Sequence, residues 1–427
     1  MRGAKRLGLL TLASAAALTS ALLAPASATP KPAISKQSVT LAPGVTYTKI
    51  TDPSVPLRTY VVSMEPNKAA TLDTQAAGST WGRYAGTSAI ASSAGALAGI
   101  NGDFSDNGMP VHAFAAEGNL LTAGPNVGAT FAMSKYKAHE YLKEGAKPVI
   151  TGVNNANGKS FTVEQWNSGN PANGEISGYT SFGGSVEKPP SGACSARLLP
   201  AGNYRWAASK RGVVRDYTVD TLRCQSDPIS INGGVVLAAD RYSYRADQIK
   251  AMSAGNTVSL TWDVESWTGV TDVIGGAPQL LANSKIVTNN NCGTYFCDRN
   301  PRAAIAYTND GRILLVVVDG RSSGSIGETP VAFAQTLKNL GATSALNLDG
   351  GGGATMWIKG KGVVNLPSDG SERPVTQAVL VLPGSDKSEP GTLSPVRLPS
   401  ASAQSDAERA ALADPASTGG LLDTYGG

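Results

Sequence analysis

The sequence predicts one large α/β domain, more closely mixed α+β, with β-rich mixed sheets, few helices and disulfides, and three observations carry that expectation. Strand-like runs of branched and aromatic residues recur at 47–50, 57–64, 258–264, 313–318 and 377–382. Helical periodicity is confined to 88–97 and 329–340 within the same span. The third is composition: 427 residues at 41% hydrophobic content can bury one large core or two modest ones.

Taken in chain order, residues 1–28 carry Arg2, Lys5 and Arg6, an apolar stretch from Leu7 to Leu23, and the small-residue site Ala26-Ser27-Ala28. That pattern is expected to be a secretory signal peptide cleaved before Thr29, which sends the chain outside the cell. No later run is long or apolar enough to span a bilayer. Residues 29–44 read as an N-terminal extension, frayed to about Lys36. A domain is expected over 45–383, followed by a low-complexity tail over 384–427 with one short helical candidate at 405–413. The formal charge of +4 includes the three signal cations, leaving the mature chain near +1, so charge gives nucleic-acid binding no support. Four cysteines, Cys194, Cys224, Cys292 and Cys297, fit an exported protein with two disulfides. Of the three connectivities we favour Cys194 with Cys224 and Cys292 with Cys297, the second closing a short loop. A zinc site is the alternative, but only His112 and His139 stand elsewhere, both remote in sequence.

The richest segment is strand, helix, strand. Residues 313–318 form an aliphatic run that reads as a buried strand and ends on Asp319-Gly320-Arg321. The helix over 329–340 places Val331, Phe333, Ala334, Leu337 and Leu340 at helical spacing, with Gly341 as its stop. A second strand, 344–348, leads into Asn347-Leu348-Asp349 and four glycines, Gly350 to Gly353. Four glycines strip every side chain from beside one carboxylate, so a ligand can lie against bare backbone. If the two strands are parallel neighbours, Asp319 and Asp349 leave the sheet at the same end, where ligands of open α/β sheets bind.

Further polar sets surround this one. Ala98 to Phe104 presents Asn101 and Asp103 at the end of an apolar stretch, followed by Asp106, Asn107 and Gly108. Arg302 stands at the mouth of another apolar strand, and residues 365–374 gather Asn365, Asp369 and Arg373 between prolines. Arg302, Arg321 and Arg373 thus share segments with candidate acids, and a guanidinium binds phosphate through a planar fork. Carboxylates beside anion binders suggest a sugar phosphate or phosphodiester. Asp103, Asp106 and Asn107 offer oxygen ligands, so a divalent cation such as calcium stays open as a minority alternative to no cofactor, although no loop has EF-hand spacing. Trp81, Trp166, Trp206 and Trp267 are expected to be packed inside rather than to form a sugar platform.

Together NGDF at 101–104, IGGAPQLL at 274–281, NPRAAIA at 300–306, VDGR at 318–321, NLDGGGG at 347–353 and NLPSDGSERP at 365–374 resemble the phosphodiester glycosidase family over roughly residues 45–383. The resemblance implies hydrolysis of a sugar 1-phosphodiester, such as one of N-acetylglucosamine, by an exported hydrolase that leaves phosphate on the aglycone. Many relatives carry NGGFF where this chain has NGDFS, so Asp103 and Ser105 are departures. On this reading Asp349 is the first choice for the carboxylate on the sugar side, as nucleophile or as base for water. Asp319 is second, either in that role or orienting Arg321. Asn101, Asp103 and Asn347 bind the sugar, Gly350, Gly351 and Gly352 let the ring lie close, and Arg302 and Arg373 hold phosphate with Asp369 positioning one of them. Two alternatives stay open: a secreted glycan-binding or exopolysaccharide-associated protein without turnover, and a phosphodiesterase cutting the P–O bond.

Overall fold

The computed structural model describes residues 33–385, apart from 67, 135–138, 185, 210, 226, 266 and 292. The expected signal peptide, the first residues of the extension, nearly all of the tail and Cys292 therefore lie outside the described residues. The described part belongs to one compact unit. It is mostly β, with three short α-helices, Thr87–Ser93, Arg245–Lys250 and Pro330–Asn339, so the mixed α/β label fits only roughly.

Two sheets position the site. The larger has eight strands in the order Ser35–Ala42, Val45–Asp52, Leu57–Met64, Ile313–Val318, Arg302–Thr308, Ala342–Asn347, Gln279–Ala282 and Lys285–Ile286. The smaller has five, Gly362–Val363, Met356–Ile358, Ala98–Asn101, Gln377–Pro383 and Ala70–Ala76. Their facing side chains, among them Val62, Ile100, Ile305, Leu315, Val317, Leu346, Met356 and Val379, interlock in one core. Burial of each such aliphatic side chain contributes ~1.5–3 kcal/mol. A separate core, around Trp166, Ile176, Leu198, Leu237 and Trp262, belongs to a nine-stranded sheet built from the middle of the chain.

The predicted helix forms as Pro330–Asn339 because Thr329 caps it, accepting from the Ala332 amide at 3.3 Å, and Pro330 fits the first turn. Gly341, at φ 95°, turns the chain out of it. Phe333, Ala334 and Leu337 are buried against Val316, Val318 and Ala304 on the outer face of the eight-stranded sheet.

Three expectations need correction. Ile313–Val318 and Ala342–Asn347 do run the same way, but they are not neighbours: Arg302–Thr308 lies between them, antiparallel to both. Its own apolar run, alternately facing the two cores, fits that central slot. The extension is not frayed from Ser35 onward, since Ser35–Ala42 pairs with Val45–Asp52 as an edge strand. The small-residue helix ends at Ser93 rather than 97, with Gly95 following at φ 71°.

Cys194 and Cys224 face each other across antiparallel strands and are disulfide-bonded. Cys297 is also disulfide-bonded, and its expected partner Cys292 is outside the described residues. Trp81, Trp166 and Trp206 are buried, while half-buried Trp267 stacks on Tyr141 at 5.0 Å. Among the described residues no helix is long and apolar enough to cross a membrane.

Candidate active site

The strand Ala342–Asn347 delivers the glycine run, and three hydrogen bonds fix how it leaves the sheet. Leu348, fully buried, donates its amide to the Ala303 carbonyl at 2.9 Å. Asp349 donates to the Gly102 carbonyl at 3.0 Å, and the Asn101 side-chain amide donates to the Asp349 carbonyl at 2.6 Å. Loop 347–353 is thereby stitched to loop 101–104. Asn347 points its side-chain amide at the carbonyls of Ala277 and Leu348, at 2.9 and 2.8 Å. Both asparagines therefore brace backbone.

Two glycines in the run are required by contact. A Cβ on Gly353 would strike the Asp349 carboxylate, and one on Gly352 would strike both the Asp369 carboxylate and the Arg373 guanidinium. The bare backbone thus lets two acids and an arginine crowd one loop. Arg373 donates from Nε and Nη2 to the same oxygen of Asp369, at 3.0 and 2.7 Å.

Electrostatics single out Asp349. Burial, chiefly, lifts its carboxyl from the ordinary 3.8 to about 7; Arg373 and the Gly350 amide pull it down, whereas Asp103 and Asp369 push it up. A carboxyl in that range exchanges protons at neutral pH.

Asp103 is buried and pinned on both sides. Its amide donates to the Gln377 side-chain oxygen at 2.8 Å, and the Gln377 side-chain amide returns a bond to the Asp103 carbonyl at 3.1 Å. Its carboxylate accepts from the His112 amide at 2.8 Å and lies 3.0 Å from His112 Nδ1. Burial alone would depress the imidazole, but Asp103, with Glu144 beyond it, raises His112 above its ordinary value.

Arg321 stands at the rim, exposed, with its backbone in the left-handed region at φ 56°. Its Nε donates to Asn300 Oδ1 at 3.1 Å, and its Nη2 lies 3.1 Å from where a Cβ of Gly351 would stand. Strain at a non-glycine residue of this kind gathers at functional sites.

The fold thus brings Asn101, Asp103, Asn347, Asp349, Gly350, Gly351, Gly352, Asp369 and Arg373 together, with Arg321 at the edge. Two candidates are turned inward. Asp319, 1% exposed, accepts from Tyr60 Oη at 2.8 Å and the Leu366 amide at 2.8 Å. Burial raises its carboxyl despite those bonds. Arg302, also 1% exposed, donates to the carbonyls of Glu328, Phe296 and Asp298 at 2.9, 2.5 and 2.8 Å, with Phe296 against its guanidinium. It ties the loop before its strand to the loop before the helix.

The calcium alternative does not fit its donors. The Asp103 carboxylate is engaged by His112, and Asp106 and Asn107 belong to a tight hairpin in which Asn107 and Gly108 take φ 47° and 83°. Among the described residues no group of three or more His, Cys, Asp or Glu could hold a metal ion.

Residues the sequence did not single out are His112, Gln377, Asn300 and Tyr60. The signal for His112 was present in the turn. With Ser105 opposite Pro110 and Asp106 opposite Met109, the same register sets Asp103 opposite His112.

The phosphodiester glycosidase family model matches residues 206–382. An uncharacterized SPbeta prophage-derived protein, YomE, of Bacillus subtilis (strain 168) is 36% identical over 83 residues, covering 19% of this chain and 13% of that protein. A hypothetical protein from Synechocystis has a similar fold, with TM-score 0.61 at 20% identity, covering 82% of this chain and 64% of that one. So does a structure described as an exported protein of Burkholderia pseudomallei K96243, with TM-score 0.58 at 18% identity, covering 82% of this chain and 96% of that one. Asp103 and His112 precede the matched span; the glycine run, Arg302, Asp319, Arg321, Asp369 and Arg373 are inside it. Over residues 206–382, then, this chain is similar to the phosphodiester glycosidases.

Proposed function

We propose that this chain is an exported hydrolase that cleaves the bond between the anomeric carbon of a sugar and the oxygen of a phosphodiester, leaving phosphate on the aglycone. N-acetylglucosamine is the sugar we favour. The observation that carries this reading is the Asp349 carboxyl, lifted to about 7, held against bare glycine backbone and beside the Arg373 fork. The Cys194–Cys224 disulfide supports export, because such bonds persist in oxidising compartments.

Water attacks the anomeric carbon while the Asp349 carboxylate takes its proton. The C–O bond breaks with its electron pair passing to the phosphate oxygen, so the leaving group is a phosphomonoester. Charge on that oxygen is met by Arg373 and Arg321, which makes a strong general acid unnecessary. Direct attack by water inverts the anomeric configuration.

The test uses residues 29–427 with UDP-N-acetylglucosamine and a simple N-acetylglucosamine-1-phosphodiester, in oxygen-18 water. The expected result is label in the free sugar, β product from an α substrate, and no release by Asp349→Asn. Label in the phosphate would establish P–O cleavage instead. Tight binding without release would establish a glycan-binding protein.

A further inference from the structure

We propose that His112 and Asp103 act as a positioning pair for Asp349, an internally balanced ion pair whose net charge fixes the pH at which Asp349 serves as base. The inference rests on the reading of Asp349 as the base, and it assigns work to the one acid that departs from the NGGFF pattern and to a histidine outside the matched span.

The geometry is specific. Asp349 and Asp103 are joined through one peptide, since the Asp349 amide donates to the carbonyl of Gly102, the residue before Asp103. The Gln377 side chain clamps the Asp103 backbone, and a Cβ on Gly102 would collide with it. The Asp103 carboxylate then has two donors from one residue, the His112 amide and ring. His112 is itself held between glycines, where a Cβ on Gly128 would meet its ring and one on Gly275 its Cβ. Neither partner of the pair has room to turn away.

Asp349 is faced by Arg373 and Asp369 from loop 365–374 and by Asp103 from loop 101–104. His112 is faced by Asp103 and, from the strand His139–Glu144, by Glu144. A protonated His112 cancels the Asp103 charge. Without it Asp103 would repel the ionised form of Asp349.

The substitutions therefore have opposite signs. In His112→Gln the acid limb of kcat/KM against pH moves upward by about one pH unit, and in Asp103→Asn, where buried His112 also loses the carboxylate that holds its proton, it moves downward by less. Loss of packing alone would lower activity without moving the limb in opposite directions. Glu144→Gln, on an exposed side chain, weakens the cation and moves the limb upward in a protein whose core is untouched. Carboxyl-carbon NMR titration of Asp349 in the same variants reads the effect without turnover. Limbs and titrations that stay in place, or shift the same way in His112→Gln and Asp103→Asn, overturn the pair. Absent activity with the opposed NMR shifts intact would sink the glycosidase reading alone.

Discussion

Asp349→Asn should stabilise the protein, and by an amount that depends on pH. The wild-type carboxyl lies at about 7 in the folded state against an ordinary 3.8. Because the folded value is the higher one, the stability linked to the protonated form is complete below pH 3.8 and is lost as pH rises through 7. At ~1.4 kcal/mol per tenfold change in proton affinity, the loss approaches ~4 kcal/mol above pH 7. Asparagine fills the same volume and never ionises, while the backbone bonds to Gly102 and Asn101 remain. The variant should match wild type near pH 4 and melt higher at pH 8, by roughly 8 °C at ~2 °C per kcal/mol. Scanning calorimetry of both proteins from pH 4 to 8 measures the divergence. Melting curves that stay parallel across that range would refute the claim that the site keeps a carboxyl against its own tendency to ionise.

Other outcomes follow from the same contacts. Gly353→Ala pushes the Asp349 carboxylate aside and should lower kcat ~100-fold with little change in melting, read by sugar release and calorimetry. Arg373→Lys keeps the charge but loses the fork to Asp369; kcat/KM should fall ~10-fold or more while urea denaturation stays near wild type. Arg302→Met leaves three carbonyls without their donor and should cost ~3 kcal/mol in urea denaturation, with KM of the remaining folded protein unchanged. A normal urea midpoint with a raised KM would return Arg302 to phosphate binding. Asp319→Asn, at a carboxyl met by Tyr60 and Leu366 rather than by the site, should leave the pH profile of kcat/KM in place, read by sugar release.

Much of the frame was legible because local pattern and global packing agree. Ile313–Val318 and Leu57–Met64 form over the predicted residues, and the helix differs by its cap and last residue alone. The favoured Cys194–Cys224 pairing does form, but the antiparallel register that sets the two cysteines opposite each other was not legible in the sequence. Nor was strand order. Nothing local to Arg302–Thr308 reveals that it inserts between two parallel strands, and that insertion decides which way its first residue points. Arg302 and Asp319 have the composition of ligand binders, yet an acid or guanidinium at a sheet end can equally saturate itself on neighbouring carbonyls and amides. Which it does depends on Glu328 for Arg302 and on loop 365–366 for Asp319, both remote in sequence. The Asp103–His112 pair was within reach of sequence alone, through the Asn107-Gly108 turn, but a lone histidine carries no periodicity to draw notice.

The interposed strand also sets when the site can exist. Leu57–Met64 finds its inner partner only at Ile313–Val318, with Met64 opposite Ile313, and Ala70–Ala76 pairs with Gln377–Pro383. Pairings this distant close large loops before any contact repays them, which makes folding slow. During synthesis the early strands have an open edge until more than two hundred further residues have been made, an invitation to pair with other chains. The glycine loop therefore docks among the last events of folding.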